Sequence, residues 1–74
     1  MSELEEILIE DDEVEALRLS DANGLDQVIA AKRMKISQPT FARILASARN
    51  KLASAIVNGA AIRLGDSNKE KISK

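Results

Sequence analysis

Residues 26–58 read DQVIAAKRMKISQPTFARILASARNKLASAIVN, and the architecture follows mainly from this stretch. Asp26 is a good helix N-cap, so a helix is expected from 26 to about 34. Ser37 is a second N-cap, and Pro39 suits the first turn of a helix, where a missing N–H costs nothing. No helix breaker follows until Gly59, so the sequence predicts a long helix over 38–58, about 30 Å in length.

The long segment has one apolar face. Its apolar residues recur at intervals of three or four, which is typical of an amphipathic helix packed on a core. They are Phe41, Ile44, Leu45, Ala48, Leu52, Ala55 and Ile56. Phe41 is the only aromatic residue of the chain. We expect it to lie in the core and not to serve as a platform for base stacking.

The two helical segments and the turn between them, residues 35–37, match the spacing of a helix-turn-helix. In that motif the first helix braces the second, whose N-terminal residues enter the major groove of DNA. Ala31 is small where two helices would cross, and Ile36 is apolar where the turn would meet the core. The spacing therefore favours a helix-turn-helix with a long final helix.

Upstream of this unit, a first helix is expected over about 12–22. Asp12 with Glu15 three residues later forms a capping-box pattern, and Asn23–Gly24 suits the end of a helix. The fold class predicted is all-α, with three helices and two short flanking strands.

Short apolar stretches at 4–9 and 60–64 are the candidate strands, and they could pair within one chain or across a dimer. The predicted organisation is an acidic N-terminal arm over 1–10, a helix-turn-helix domain over 11–64 and a mobile polar tail over 65–74.

Charge is divided along the chain, although the net charge is only −1. Residues 1–26 hold ten acidic residues and one base, Arg18, for a net charge of −9. Residues 27–74 hold ten bases and two acids, for a net charge of +8. A block of one sign produces a local positive field suited to nucleic acid. The alternative is that the halves neutralise each other in the fold, with Arg49 pairing with the acidic first helix.

The composition argues against several classes of protein. The chain has no cysteine and no histidine, and hence neither a disulfide framework nor the usual nitrogen and sulfur ligands of transition metals. No apolar run approaches the roughly 20 residues of a membrane span, and the acidic start does not resemble a signal peptide, so we expect a cytoplasmic protein. Paired acids such as Asp11–Asp12 suit a helix N-terminus better than acid chemistry. No catalytic constellation is evident. We expect that the protein is not an enzyme and that it binds no cofactor.

Several runs resemble a known family. In order they are EVEALRLSD (13–21), GLDQ (24–27), Ala30–Ala31, Arg33–Met34, Ile36–Ser37, Thr40–Phe41, Arg43–Ile44–Leu45, Ala48–Arg49 and Lys51. Together, over about 7–64, they resemble domain-of-unknown-function family 134, small prokaryotic predicted DNA-binding proteins whose helix-turn-helix is similar to region four of sigma factors. The resemblance implies a transcription-linked DNA-binding protein.

The chain departs from the pattern of that family at three places. The family usually has glycine at the position of Lys35, where a left-handed lysine would cost roughly 1 kcal/mol. It tends to have acidic residues at the positions of Val28 and Ile29. Members commonly begin with a basic segment containing proline and cysteine, which this chain lacks, so we carry over no metal binding.

The predicted function is sequence-specific binding of double-stranded DNA by a transcriptional regulator. Residues expected to face the bases are Gln38, Pro39, Thr40, Ala42 and Arg43. Residues expected to contact phosphates are Gln27, Lys32, Arg33, Lys35 and Ser37. Gln38 could form paired hydrogen bonds with adenine, and the alternative is a solvated side chain. Arg43 could do the same with guanine, and the alternative is a surface salt bridge or a phosphate contact.

Other partners follow from the same surfaces. Val28 and Ile29, together with the far half of the long helix, suggest a homodimer. The alternative function is a helical protein–protein interaction (adaptor) module whose acidic half binds a basic partner without DNA binding.

Overall fold

A computed structural model describes residues 5–65. The elements in chain order are β1 (Glu6–Ile9), α1 (Asp11–Leu17), a π-helical turn (Arg18–Ala22), α2 (Gln27–Met34), α3 (Gln38–Asn58) and β2 (Ala61–Leu64). The protein is mostly helical, as predicted, and its two strands form a small parallel sheet. The first four residues of the predicted acidic arm and residues 66–74 of the predicted mobile tail lie outside the described residues.

Helices α2 and α3 begin at the predicted caps. The Asp26 carboxylate accepts the Val28 N–H at 2.8 Å, and the Ser37 hydroxyl accepts the Thr40 N–H at 3.2 Å. Between the helices, Lys35 adopts the left-handed conformation (φ 62°, ψ 42°) that closes α2. The turn thus places a left-handed lysine where glycine would be free of strain.

Helix α1 differs from the prediction at both ends. Its N-cap is Glu10 and not Asp12, because the Glu13 carboxylate accepts the Glu10 backbone N–H at 2.8 Å. The predicted Asp12–Glu15 capping box was therefore wrong by two residues. The last turn is π-helical: the Asn23 N–H donates to the Arg18 carbonyl, five residues back, at 2.8 Å. The wider turn brings Leu19 into the core, which explains why the apolar residues of this segment do not follow one α-helical stripe.

The core lies between α1, the π turn, α2 and α3. Its buried members are Ala16, Leu19, Ala30, Ala31, Phe41 and Leu45. Phe41 is fully buried, as expected. Ala30 and Ala31 present no bulk between α2 and α3, so the helices approach closely and α2 supports the start of α3.

The strands pair within one chain, which answers the question that the sequence left open. Ile7 lies opposite Ile62 and Ile9 opposite Leu64. Ile9 is buried, whereas all four residues of β2 are exposed. Gly65 directly follows β2 and is buried against the start of α1, where an added Cβ would lie 2.8 Å from the Asp11 backbone nitrogen. Gly65, which the sequence placed at the start of the predicted mobile tail, is thus packed against α1.

Candidate nucleic-acid interface

The start of α3 points outward from the protein. Gln38, Pro39, Ala42 and Arg43 are exposed, while Phe41 between them is fully buried. Pro39 and Arg43, two residues before and after Phe41, lie on the opposite face of the helix, so burial of Phe41 directs them away from the core. Gln38 and Ala42 lie on one flank of the helix, between these two faces. Four of the five residues predicted to face bases are thus accessible.

Thr40 is the exception among these five residues. It is half-buried, and its hydroxyl oxygen accepts a hydrogen bond from the Ser37 hydroxyl at 2.9 Å. Ser37, which the sequence placed on a phosphate, also caps α3 through the same hydroxyl. Both hydroxyls therefore hold the first turn of α3 in place.

Helix α2 adds one more side chain to this edge. Gln27, in the first turn of α2, lines a hollow of about 200 Å³ together with Gln38, Pro39 and Ala42. Within residues 5–65, the side-chain amides of Gln27 and Gln38 make no hydrogen bond. The hollow therefore combines two amides available for hydrogen bonding with two apolar side chains.

Residues 27–65 contain no acidic residue, and the lysines and arginines of this stretch fall into two groups. Arg49 pairs with Asp21, Lys51 with Glu13, and Arg63 with Glu6. The other four have no ion pair within the described part of the chain; they are Lys32, Arg33, Lys35 and Arg43. All four are exposed, and they lie at the end of α2, in the turn and at the start of α3. The acidic half therefore neutralises the far side of the molecule and leaves this edge positive.

The pair of Arg49 and Asp21 confirms one of the alternatives given by the sequence. Arg49 donates to the two carboxylate oxygens of Asp21 at 2.6 and 3.1 Å. The hydrogen bond from Arg49 lowers the pKa of Asp21, and the same bond raises the pKa of Arg49. The charge of Arg49 is therefore neutralised by Asp21 of the π turn.

The sequence did not single out Glu13, the only buried charged residue within 5–65. Its carboxylate accepts from Lys51 Nζ at 2.8 Å and Ser47 Oγ at 2.6 Å, besides the Glu10 N–H. Burial alone would raise the pKa of Glu13, but these hydrogen bonds and the charge of Lys51 outweigh burial and lower it. The available signal was spacing: Glu13 is three residues before Ala16, and Ser47 is four before Lys51, so each pair shares a helix face.

Within residues 5–65, no three histidine, cysteine, aspartate or glutamate side chains are grouped so that they could hold a metal ion. In the same part of the chain, no helix has the length and apolar character needed to cross a membrane.

Fold and surface together define a small, mostly helical protein with a two-stranded parallel sheet and an exposed basic edge at the start of its longest helix. The chain belongs to the family described as protein of unknown function DUF134, whose model matches residues 1–71. This family is the one that the sequence runs resemble.

Relatives share about half of the sequence. The chain is 52% identical over 68 residues to a UPF0251 protein of Caldanaerobacter subterraneus subsp. tengcongensis, covering 92% of this chain and 58% of that relative. It is 55% identical over 64 residues to a UPF0251 protein of Moorella thermoacetica, covering 86% of this chain and 43% of the relative. The chain thus spans about half the length of the curated relatives it matches. No solved structure matches it.

Proposed function

We propose that this protein binds double-stranded DNA sequence-specifically as a transcriptional regulator. In this proposal α2, the turn and α3 act as a helix-turn-helix, with the start of α3 in the major groove. One observation carries the proposal: the first turns of α3 are exposed, and four exposed lysine and arginine residues around them have no acidic partner within residues 5–65.

Rigid support of α3 favours this function. A reading helix must hold its side chains in a fixed register, because base contacts are directional. Here Ala30 and Ala31 of α2 pack into the same core as Phe41, and the Ser37 cap fixes the first turn. The side chains of Gln38, Ala42 and Arg43, which are expected to face the DNA bases, would then project from a rigidly held helix.

Charge placement supports the same proposal. Phosphate contacts supply most of the affinity for DNA and set the orientation of the protein on the duplex. Lys32, Arg33 and Lys35 follow one another at the end of α2 and in the turn, next to the start of α3. They are therefore placed to contact phosphates while α3 reads bases.

A titration of duplex DNA at several salt concentrations, followed by fluorescence anisotropy, tests the proposal. The logarithm of the binding constant falls with the logarithm of salt with a slope of about −0.9 per phosphate neutralised, so phosphate contacts by Lys32, Arg33 and Lys35 give a slope of about −2.7 per bound chain. Arg43→Ala should weaken binding to the preferred duplex by roughly tenfold, the lower part of the range for a base contact.

Arg63→Ala is the matched control, because Arg63 is also exposed, pairs with Glu6 and lies in β2 beyond the far end of α3. It should bind DNA like the unmodified protein. Binding that is insensitive to salt, or equal losses in both variants, would contradict the proposal.

A second candidate function is a helical adaptor that binds another protein and not DNA. The observation that favours it is an open groove of about 450 Å³ between α1, the π turn and α3. Its apolar lining is provided by Val14, Leu17, Ala22 and Leu52, and Arg18 and Asp21 also line it. An adaptor would show no salt-dependent affinity for duplexes, so the same titration distinguishes the two functions.

We also propose that two copies associate through the far half of α3. Ile56 and Val57 are 72% and 81% exposed there, and β2 beside them is exposed along its whole length. This surface lies about 20 Å or more along the helix from Arg43, so a dimer formed there leaves the start of α3 free.

A further inference from the structure

We propose that the hollow lined by Gln27, Gln38, Pro39 and Ala42 recognises an A·T base pair, taking the thymine methyl group against its apolar wall. The inference rests on the proposed function, since it requires α3 to lie in the major groove. It adds the identity of one base pair and the residues that select it.

The apolar wall is the first part of the argument. Pro39 and Ala42 contribute only carbon atoms of their side chains to a surface that is otherwise polar and basic. In the major groove, thymine is the only base that presents a methyl group, and apolar side chains recognise it by contact. The hollow, at about 200 Å³, has room for a methyl group, which occupies about the 30 Å³ of a water molecule.

The amides are the second part of the argument. A glutamine amide carries a donor and an acceptor side by side, as adenine does with N6–H₂ and N7. Guanine presents two acceptors there and suits arginine or lysine better. Gln38 and Gln27 are both free of hydrogen bonds within residues 5–65, so their amides can meet a base edge without breaking an internal contact.

Helix geometry places both parts on one base pair. Gln38 and Ala42 are four residues apart in α3 and therefore share one face of the helix. Adenine and the methyl group of its paired thymine lie on the same groove floor. One turn of helix thus presents an amide and a methyl contact together, with Gln27 reaching the same hollow from α2.

Selection of bound duplexes from a random pool, using the full chain at near-physiological salt, is the first step of the test. The selected sites should share an A·T pair. Replacing its thymine with deoxyuridine, which lacks only the methyl group, should weaken binding about fourfold, the effect of exposing one buried carbon. Replacing adenine with 7-deazaadenine removes the N7 acceptor and should weaken binding about fivefold.

Variants then assign these effects to residues. Ala42→Leu fills the hollow, so its affinities for thymine and deoxyuridine sites should become equal. Gln38→Ala should lose the sensitivity to 7-deazaadenine. Ala53→Leu is the matched control, because Ala53 is also exposed on α3 but lies eleven residues further along. It should keep both sensitivities.

The possible outcomes separate the two proposals. Equal affinity of the unmodified protein for thymine and deoxyuridine, or a G·C pair at every selected position, overturns this inference while DNA binding stands. Failure to bind any duplex even at low salt overturns the proposed function and the inference with it. Loss of the methyl effect in Ala53→Leu as well as Ala42→Leu also contradicts the assignment to the hollow.

Discussion

At the scale of single residues, Lys35 is the one non-glycine residue within 5–65 that has a left-handed backbone conformation. A left-handed conformation brings the Cβ of an L-residue too close to the backbone, and glycine avoids this cost. The left-handed conformation of Lys35 closes α2 and sets the direction in which α3 leaves the turn. In the proposed DNA complex, a phosphate contact of the Lys35 side chain would offset this strain.

Replacing Lys35 tests this balance. Lys35→Gly should raise the free energy of unfolding by about 1 kcal/mol, because the strain is removed. Lys35→Ala keeps the Cβ and should leave stability nearly unchanged. Both variants should bind DNA more weakly with a smaller salt slope. Urea denaturation and the DNA titration measure the two effects, and a Lys35→Gly variant less stable than Lys35→Ala would refute the assignment of strain.

At the scale of elements, the buried carboxylate of Glu13 joins α1 to α3. It accepts hydrogen bonds from Ser47 and Lys51 and from the N–H that begins α1. A buried charge is stable only when its hydrogen bonds are complete. The contact therefore holds the first turn of α1 on α3, at the end of α1 opposite the π turn.

The lowered pKa of Glu13 makes stability depend on pH. Folding favours the ionised form, so its contribution is present above the ordinary carboxyl pKa of 4.5 and is lost as the pH falls through the lower folded value. Asp21, whose pKa Arg49 lowers, acts in the same direction. The thermal midpoint of the protein should therefore fall as the pH drops below 4.5.

Glu13→Gln should lower the free energy of unfolding by about 1.5–3 kcal/mol at pH 7, the usual range for hydrogen bonds to charged groups, and should flatten the pH dependence. Glu15→Gln is the matched control, because Glu15 makes only an exposed pair with Arg18. A pH profile of Glu13→Gln as steep as that of the unmodified protein would show that the link is not electrostatic.

At the scale of the whole molecule, charge is sorted in three dimensions and not only along the chain. Acids of the first half pair with bases on the far half of α3 and on β2. The four bases around the turn are left without such partners within residues 5–65. A protein of net charge −1 can thus carry a positive edge, as the proposed DNA binding requires.

Association of two copies is also decided at this scale. Val57→Asp places a charge on the proposed dimer surface and should convert a dimer to a monomer, measured by sedimentation equilibrium. Ala46→Asp is the matched control, because Ala46 is also exposed on α3 but lies eleven residues before Val57, and this variant should remain dimeric. A dimer that survives Val57→Asp, or a chain that is monomeric at every concentration, would exclude association through this surface.

The sequence by itself determined the local features. The N-caps Asp26 and Ser37 begin α2 and α3 through hydrogen bonds to neighbouring backbone N–H groups, so a few residues of sequence were enough to predict where these helices start. The apolar period likewise predicted that Phe41 is buried. The accessible edge at Gln38, Ala42 and Arg43 follows from the same period.

Only the tertiary structure decided the features that depend on distant partners. The N-cap of α1 is Glu10 and not the predicted Asp12, and Glu13, which completes this cap, is held by Ser47 and Lys51 of α3. The last turn is π-helical, and its Leu19 packs in the core. The ion pairs that neutralise lysines and arginines likewise join residues 28 to 57 positions apart, such as Asp21 with Arg49 or Glu6 with Arg63. Local spacing carries no information about such pairs, because packing alone brings their side chains within reach.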